Sequence, residues 1–440
     1  MRNCRRKGIS AGTVLLLALT ASTLGATAWF LPKLVDDMPD LRIDAQKLFG
    51  GVAASMQGTE DARQNAASDG SPVPARTEAD AGPAVQIGPT PSPVRMLSIK
   101  VAGSIFVPRN VRQSGYDQDA GAYAYDTIFS EVQGLLSGAD LTLCTVESTF
   151  AGQDYTDYNA PDAMLDALKF AGINLISLGN ERALDSGIEG LRTTVTAMES
   201  RGFTVTGASP HREDVGAVRL IQVDGVQVAV LAYSYGISSE GQRRTHRDDR
   251  FAVPPLDPDV IRNDIANARK AGADVVIVMP HWGTRNSAKV SPSQRTLGEQ
   301  LVAMGADLVV GAHPNVVQRV DLVQAIGPTG KAQEAIVAYS LGCLLSDARD
   351  LPGASSMVMH FDFQVDTAAK TAKLVRYGYA PIWLQRDRIA SGRYAYSLLR
   401  ADDEDTANMV DAATRRRMSD ACITVQKVLA EGEEVPVYWP

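Results

Sequence analysis

The chain has 440 residues, of which 45% are hydrophobic, and a formal net charge of −8. That length supports one large or two medium domains with a sizeable core, and the acidic balance excludes a general nucleic-acid surface, which needs a basic face. None of the four cysteines, Cys4, Cys144, Cys343 and Cys422, has metal-ligand or redox spacing; a Cys343–Cys422 disulfide stays open.

Arg2, Arg5, Arg6 and Lys7 precede an uncharged run from Gly8 to Leu31. As a helix this run would span roughly 34 Å, matching a bilayer core of about 30 Å. Its basic flank should stay cytoplasmic, which places the rest of the chain outside. A cleaved signal peptide with Ala26-Thr27-Ala28 as the cleavage site is the competing reading, but the run is long for one. Residues 1–35 are therefore expected to be a single-pass anchor in the cell membrane with the folded domain extracytoplasmic. Residues 36–95 read as a disordered stalk, because Gly58–Pro93 is rich in Ala, Ser, Gly, Pro and acidic residues and has too few large apolar side chains to offset ordering entropy.

The folded domain is expected over 96–400, with a helical extension over 401–440. Met96–Val101 is its first strand and runs into Gly103-Ser104. Ala139–Glu147 is the second strand, ending at Glu147. A helix is expected from Asn159-Ala160-Pro161 to Gly172, with Asn159 as cap. Ile173–Leu178 is a buried strand that stops at Gly179-Asn180-Glu181-Arg182. Ile188, Leu191, Val195 and Met198 mark a helix closed by Gly202, and Phe203–Gly207 is a short strand. Val218–Val223 and Val226–Tyr233 flank Asp224-Gly225, a hairpin signal. Gly241–Asp249 reads as a polar loop, and a helix runs from Asp257-Pro258 to Gly272.

Two matching pieces follow, Asp274–Gly283 (DVVIVMPHWG) and Asp307–Asn315 (DLVVGAHPN). Each is an apolar run ending in a histidine beside a turn. The helix between them opens on Ser291-Pro292-Ser293-Gln294, a capping box with proline at its first position. This β-α-β unit should deliver His281 and His313 to the same end of neighbouring strands, where open α/β sheets bind ligands. Ile336–Ser340, Met357–Val365 and Lys373–Gly378 are further strands, and Met409–Leu429 is helical.

Ser104, Glu147, Asn180, His281 and His313 thus all stand at strand ends, with Asn315 two residues beyond the last. Glu, Asn and His are ligands for divalent metals in hydrolase sites. The residue-level alternatives are structural: a hydrogen-bonded strand-end histidine, a helix-capping Glu147, and an Asn180 that supplies a left-handed turn.

The order of these segments resembles the CapA family, the PgsA or poly-γ-glutamate capsule synthesis proteins, over about Ser98–Trp383. The resemblance is carried by Gly103-Ser104-Ile105-Phe106, Thr145-Val146-Glu147-Ser148, Leu178–Asp185 with Gly187 and Gly190, His281–Arg285, Gly311–Val316 with Gln318, and Tyr339–Cys343. It implies an α/β metallophosphatase-like fold, a sandwich of mixed sheets flanked by helices. It also implies a part in making, exporting or anchoring an anionic surface polymer, with the polymer or its synthesis machinery as partner.

This chain departs from the family pattern at the ligands. Ser104 stands for the motif aspartate, Glu181-Arg182 for Asn-His, Arg285 for glutamate, Asn315 for a second histidine and Cys343 for asparagine. In one reading the metal is lost or weakened, and Arg182 and Arg285, with Asn180 and Asn315, bind an anion, since a guanidinium fork suits carboxylate or phosphate. In a second, Glu147, Asn180, His281 and His313, with Glu181, hold one ion (Mn, Zn or Fe), and His281 and His313 serve a phosphoester or amide hydrolase. In a third, the arginines are paired with local acids such as Asp185 or Glu181 and bind nothing.

Overall fold

A computed structural model describes residues 93–152, 155, 158–432 and 435–436. The expected anchor and nearly all of the expected stalk lie outside these residues. Among the described residues no helix is long and apolar enough to cross a membrane.

Two mixed sheets face each other. The first has seven strands in the spatial order Tyr394–Arg400, Thr371–Arg388, Ser355–Asp366, Val94–Ala102, Leu141–Thr145, Leu175–Ser177 and Thr204–Thr206. The last four run parallel, and the first three join them as antiparallel hairpins. The second has six strands in the order Val320–Ile326, Ala332–Ala338, Leu308–Val310, Val275–His281, Val226–Ser234 and Leu220–Val223. Its middle four are parallel and each edge strand is antiparallel.

Side-chain alternation decides what each face buries. From the first strand Leu97, Ile99 and Val101 point between the sheets, where they meet Val228, Val230, Ile277, Met279 and Leu308. The intervening Val276, Val278 and Val309 point the other way and pack on Ile261, Ile265, Leu301 and Val302 of the helices Pro258–Lys270 and Pro292–Met304. Val275–His281 is buried along its whole length, which explains its unbroken apolar sequence. On the outer side of the seven-stranded sheet, Met164, Leu165 and Leu168 of the helix Ala163–Phe170 and Leu191 and Met198 of the helix Gly187–Glu199 complete a third core.

The β-α-β unit that carries the two histidines forms as expected: the strands Val275–His281 and Leu308–Val310 are parallel neighbours, with Ile277 opposite Leu308. The capping box is complete. Ser291 Oγ accepts from Gln294 N at 3.2 Å, and Gln294 Oε1 accepts from Ser291 N at 3.0 Å. Asp224 and Gly225 turn the hairpin with φ of 43° and 83°, the left-handed pair that a two-residue connection requires.

Two local expectations are corrected. Asn159 does not cap a helix, which begins only at Ala163. Its buried amide instead accepts from Ala151 N at 2.7 Å and donates to the Gly152 carbonyl at 3.3 Å, tying down the turn after Thr149. Asn159→Ala should therefore destabilise the protein by about 1–2 kcal/mol, read as a lower urea midpoint at unchanged slope. The polar stretch 241–249 is not a loop. It lies in the helix Ser239–Arg244, capped by Ser238 and laced by Glu240 to Arg243 and Arg244, and a 3-10 helix over Arg247–Ala252. Val320–Ile326 and Tyr394–Arg400 also form strands, each at the edge of its sheet and neither anticipated from the sequence.

Candidate functional site

The two histidines are fixed by backbone bonds between their turns. Trp282 N donates to Ala312 O and Ala312 N to Pro280 O, both at 3.0 Å. Gly311 makes this approach feasible. A Cβ there would lie 2.1 Å from Trp282 Nε1 and 2.2 Å from the Tyr339 carbonyl, the pair that themselves hydrogen bond at 2.9 Å. Beyond Gly311 the chain turns sharply through two non-glycine residues in the left-handed region, His313 (φ 95°) and Asn315 (φ 62°). Such backbone costs on the order of 1–3 kcal/mol per residue and persists where the surroundings impose it, commonly at ligand sites.

From the opposing sheet comes the turn after Leu175–Ser177. Asn180 anchors it: its amide donates to Val146 O at 2.9 Å, and its side-chain oxygen accepts from Arg182 N at 3.0 Å. Gly179 lets this turn lie against the other sheet, since a Cβ would stand 2.8 Å from the Ala232 carbonyl carbon. The turn thereby delivers Glu181 between the two histidines.

Glu181, His281 and His313 are 3%, 1% and 6% exposed. Glu181 Oε2 is in close contact with His281 Nε2 and lies 3.5 Å from His313 Nδ1. Glu181 Oε1 accepts from Arg285 Nη2 at 2.8 Å. The imidazoles meet edge to face, centroids 4.9 Å apart, under the half-exposed ring of Tyr235, 4.6 Å from His313. Burial by itself would raise the Glu181 carboxyl; hydrogen bonding and charge from His281 and His313 outweigh it and hold the group below the ordinary carboxylate range. Three buried polar atoms here lack a well-formed hydrogen bond among the described residues: His281 Nδ1, Glu147 Oε1 and His313 Nδ1, which has only the long 3.5 Å approach to Glu181 Oε2. Unsatisfied buried groups cost about 1–3 kcal/mol each, so three together call for a ligand or solvent.

The donor set suits a divalent ion. One ligand atom from each of Glu181, His281 and His313 lies within 4.8 Å of the others. Atoms bound to one ion at about 2.0–2.2 Å stand roughly 3 to 4.4 Å apart, so Glu181 Oε2 and His281 Nε2, now in direct contact, would open by about an ångström to admit it. Two imidazoles and a carboxylate form a set used for Fe and accepted by Zn and Mn.

The other anticipated residues have distinct places. Glu147 follows the strand Leu141–Thr145; it and Glu181 both raise the buried Cys343 thiol, whose shift upward is due first to burial. Asn180 holds the turn, with backbone outside the left-handed region. Asn315 accepts from Cys343 Sγ at 3.5 Å. Arg182 is not an open cation. Its guanidinium lies over Tyr158 (4.2 Å) and Phe106 (5.1 Å), reaches Asp185 Oδ2 at 3.4 Å, and leaves the side chain 12% exposed. Arg285 is paired with Glu181 but 44% exposed. Cys144, Cys343 and Cys422 are free thiols.

Tyr235 was not anticipated. Its signal lay in the parallel pairing of Val226–Ser234 with Val275–His281, which sets Ser234 opposite His281, so the residue after Ser234 must lie at the site. From the sequence Glu181 stood only as an addition to the set Glu147, Asn180, His281 and His313 or as a partner for the arginines, whereas it is the carboxylate that faces both imidazoles.

Fold and site together define a two-sheet α/β sandwich with a histidine–carboxylate cluster at its strand ends. Residues 98–348 match the bacterial capsule synthesis protein PGA_cap family, and the chain belongs to that family, in agreement with the motif resemblance. Among its relatives, the capsule biosynthesis protein CapA of Bacillus anthracis is 27% identical over 263 residues, 57% of this chain and 60% of that protein. The PGA biosynthesis protein CapA of Bacillus subtilis (strain 168) is 24% identical over 262 residues, 57% of this chain and 64% of that one. The match thus spans less than two thirds of either relative. Among solved structures, the calcineurin-like phosphoesterase YfkN of Bacillus subtilis is similar over 75% of this chain and 100% of that one, at 12% identity and a TM-score of 0.38, too loose a likeness to carry an argument.

Proposed function

We propose that the protein serves, tethered outside the cytoplasm by its N-terminal segment, in making, exporting or anchoring an anionic surface polymer of the poly-γ-glutamate kind, and that its strand-end cluster holds one divalent ion. Family membership supports the process. The basic flank and uncharged run at Gly8–Leu31 support the tether. The observation that carries the metal reading is the buried Glu181–His281–His313 cluster, in which one carboxylate faces two imidazoles and His281 Nδ1 is left without a hydrogen bond among the described residues.

In this reading Glu181, His281 and His313 hold the ion, Mn, Zn or Fe, and Glu147 supplies a neighbouring carboxylate. A bound ion would polarise a phosphoryl or carbonyl oxygen. The site is weaker than the family pattern implies, because Ser104, Arg182, Arg285 and Asn315 stand where further ligands would be. Asn180 and Asp185 act structurally, on the turn and on Arg182.

A second reading rests on the Arg285–Glu181 bond. The guanidinium there supplies the positive charge that an ion would otherwise supply, and the protein binds the polymer without a metal. Elemental analysis and Mn titration of the purified protein separate the two. We expect about one ion per chain, with affinity reduced about a hundredfold or more in Glu181→Gln and His281→Ala. A metal-free protein that ignores added Mn yet binds poly-γ-glutamate, and loses that binding in Arg285→Ala, would establish the second reading instead. For the tether, membrane fractionation should retain the N-terminus; a mature chain starting near Trp29 would refute it.

A further inference from the structure

We propose that Arg285 is a resident counter-cation at Glu181 which couples metal binding to the arrival of an anion; this rests on the one-ion reading above. Among the described residues Glu181 is the only carboxylate in direct contact with both imidazoles, and its two oxygens are divided. Oε2 faces His281 and His313, and Oε1 is held by Arg285 Nη2 at 2.8 Å. A dication that takes Glu181 as ligand must share it with this guanidinium, and like charges at such range repel strongly where water is excluded. Arg285 therefore lowers the affinity of the site while it stays in place.

Arg285 is also free to leave. Its backbone is fixed, because Gly283 turns the chain and Asn286 N donates to Pro314 O at 2.7 Å, but its side chain is 44% exposed. Arg182, the other cleft guanidinium, is held by two rings and Asp185. Tyr235, 55% exposed, stands over the histidines on the outer side. A carboxylate or phosphate that enters beside Tyr235 meets Arg285 first. Pairing with it draws the guanidinium from Glu181 and releases Oε1 to the ion. Anion and ion then assist each other, and linkage makes the assistance reciprocal. The site would fill with metal chiefly when its anionic ligand is present.

The test uses the full chain, with free Mn(II) read by electron paramagnetic resonance. Wild type and Arg285→Gln are each titrated alone, with a γ-linked glutamate trimer, and with inorganic phosphate. Arg285→Gln should bind Mn at least about tenfold more tightly than wild type, within the usual range of coupling between sites. The trimer or phosphate should tighten Mn binding to wild type severalfold and leave Arg285→Gln unchanged. Whichever arm responds identifies the anion as carboxylate or phosphate. Equal Mn affinity in the two proteins, or an anion effect that survives Arg285→Gln, overturns the proposal while leaving the one-ion site intact. Absence of Mn binding in both, with far-ultraviolet circular dichroism showing both folded, overturns the one-ion site as well.

Discussion

Gly311→Ala should destabilise the protein by about 3–5 kcal/mol, the sum of overpacking and the loss of a buried hydrogen bond. The added Cβ would fall 2.1 Å from Trp282 Nε1 and 2.2 Å from the Tyr339 carbonyl. Neither neighbour can yield cheaply. Trp282 is 2% exposed and stacked on Tyr339 at 5.7 Å, and the carbonyl belongs to the backbone that follows the strand Ala332–Ala338. Relief requires expelling the indole, which breaks its 2.9 Å bond to Tyr339 O and shifts the backbone on either side of His281 and His313. Urea denaturation should show a much lower midpoint, and Mn affinity should fall with it. Gly298→Ala is the matched control: its Cβ would meet no backbone, only the Val337 methyl at 3.1 Å and the Tyr339 ring at 3.5 Å, within a helix that gains about 1 kcal/mol from alanine. A Gly311→Ala protein as stable as this control would show that the indole has an alternative seat.

Much of this architecture was legible in the sequence because it is written in short range. The buried parallel strands declare themselves by unbroken valine-rich runs, and the helix between them by a capping box that needs only four residues. Strand-end logic then placed His281 and His313 together. What was not legible depends on the opposing sheet. Arg182 and Glu181 are adjacent in sequence, yet one turns to Phe106, Tyr158 and Asp185 and the other to the histidines. No periodicity states which neighbour faces the cleft, since that is fixed by Asn180 bonding to Val146 O across the sheet. The two arginines likewise looked equivalent as new cations; only packing separates the stacked Arg182 from the half-exposed Arg285. Asn159 misled because a cap-like residue before a proline carries the same letters whether it caps a helix or ties down a loop.

The matched pieces Asp274–Gly283 and Asp307–Asn315 also begin alike, and their aspartates lie at the end of the sheet away from the histidines. Asp307 Oδ2 accepts from Val276 N at 2.7 Å on the neighbouring strand and pairs with Arg269 Nη2 at 2.5 Å. Asp274 Oδ2 accepts from Gln227 N at 2.7 Å on the next strand along and pairs with Lys370 at 2.8 Å. Each aspartate thus pins its strand to the one beside it. A one-residue slip in pairing would turn every side chain to the opposite face, so these pins set the level at which His281 and His313 emerge. Asp307→Ala should cost about 3 kcal/mol, because it strands the Val276 N–H and leaves Arg269 without its carboxylate. Asp307→Asn keeps an acceptor for Val276 and should cost only about 1 kcal/mol. Urea midpoints give both values. If register is what the aspartate supplies, Mn affinity measured well below the melting temperature should fall severalfold in Asp307→Ala and stay near wild type in Asp307→Asn. A destabilised Asp307→Ala protein with undiminished Mn affinity would show that the strand ends hold their level without this anchor, and that the left-handed turn at His313 and the Trp282–Tyr339 bond are sufficient to place the pair.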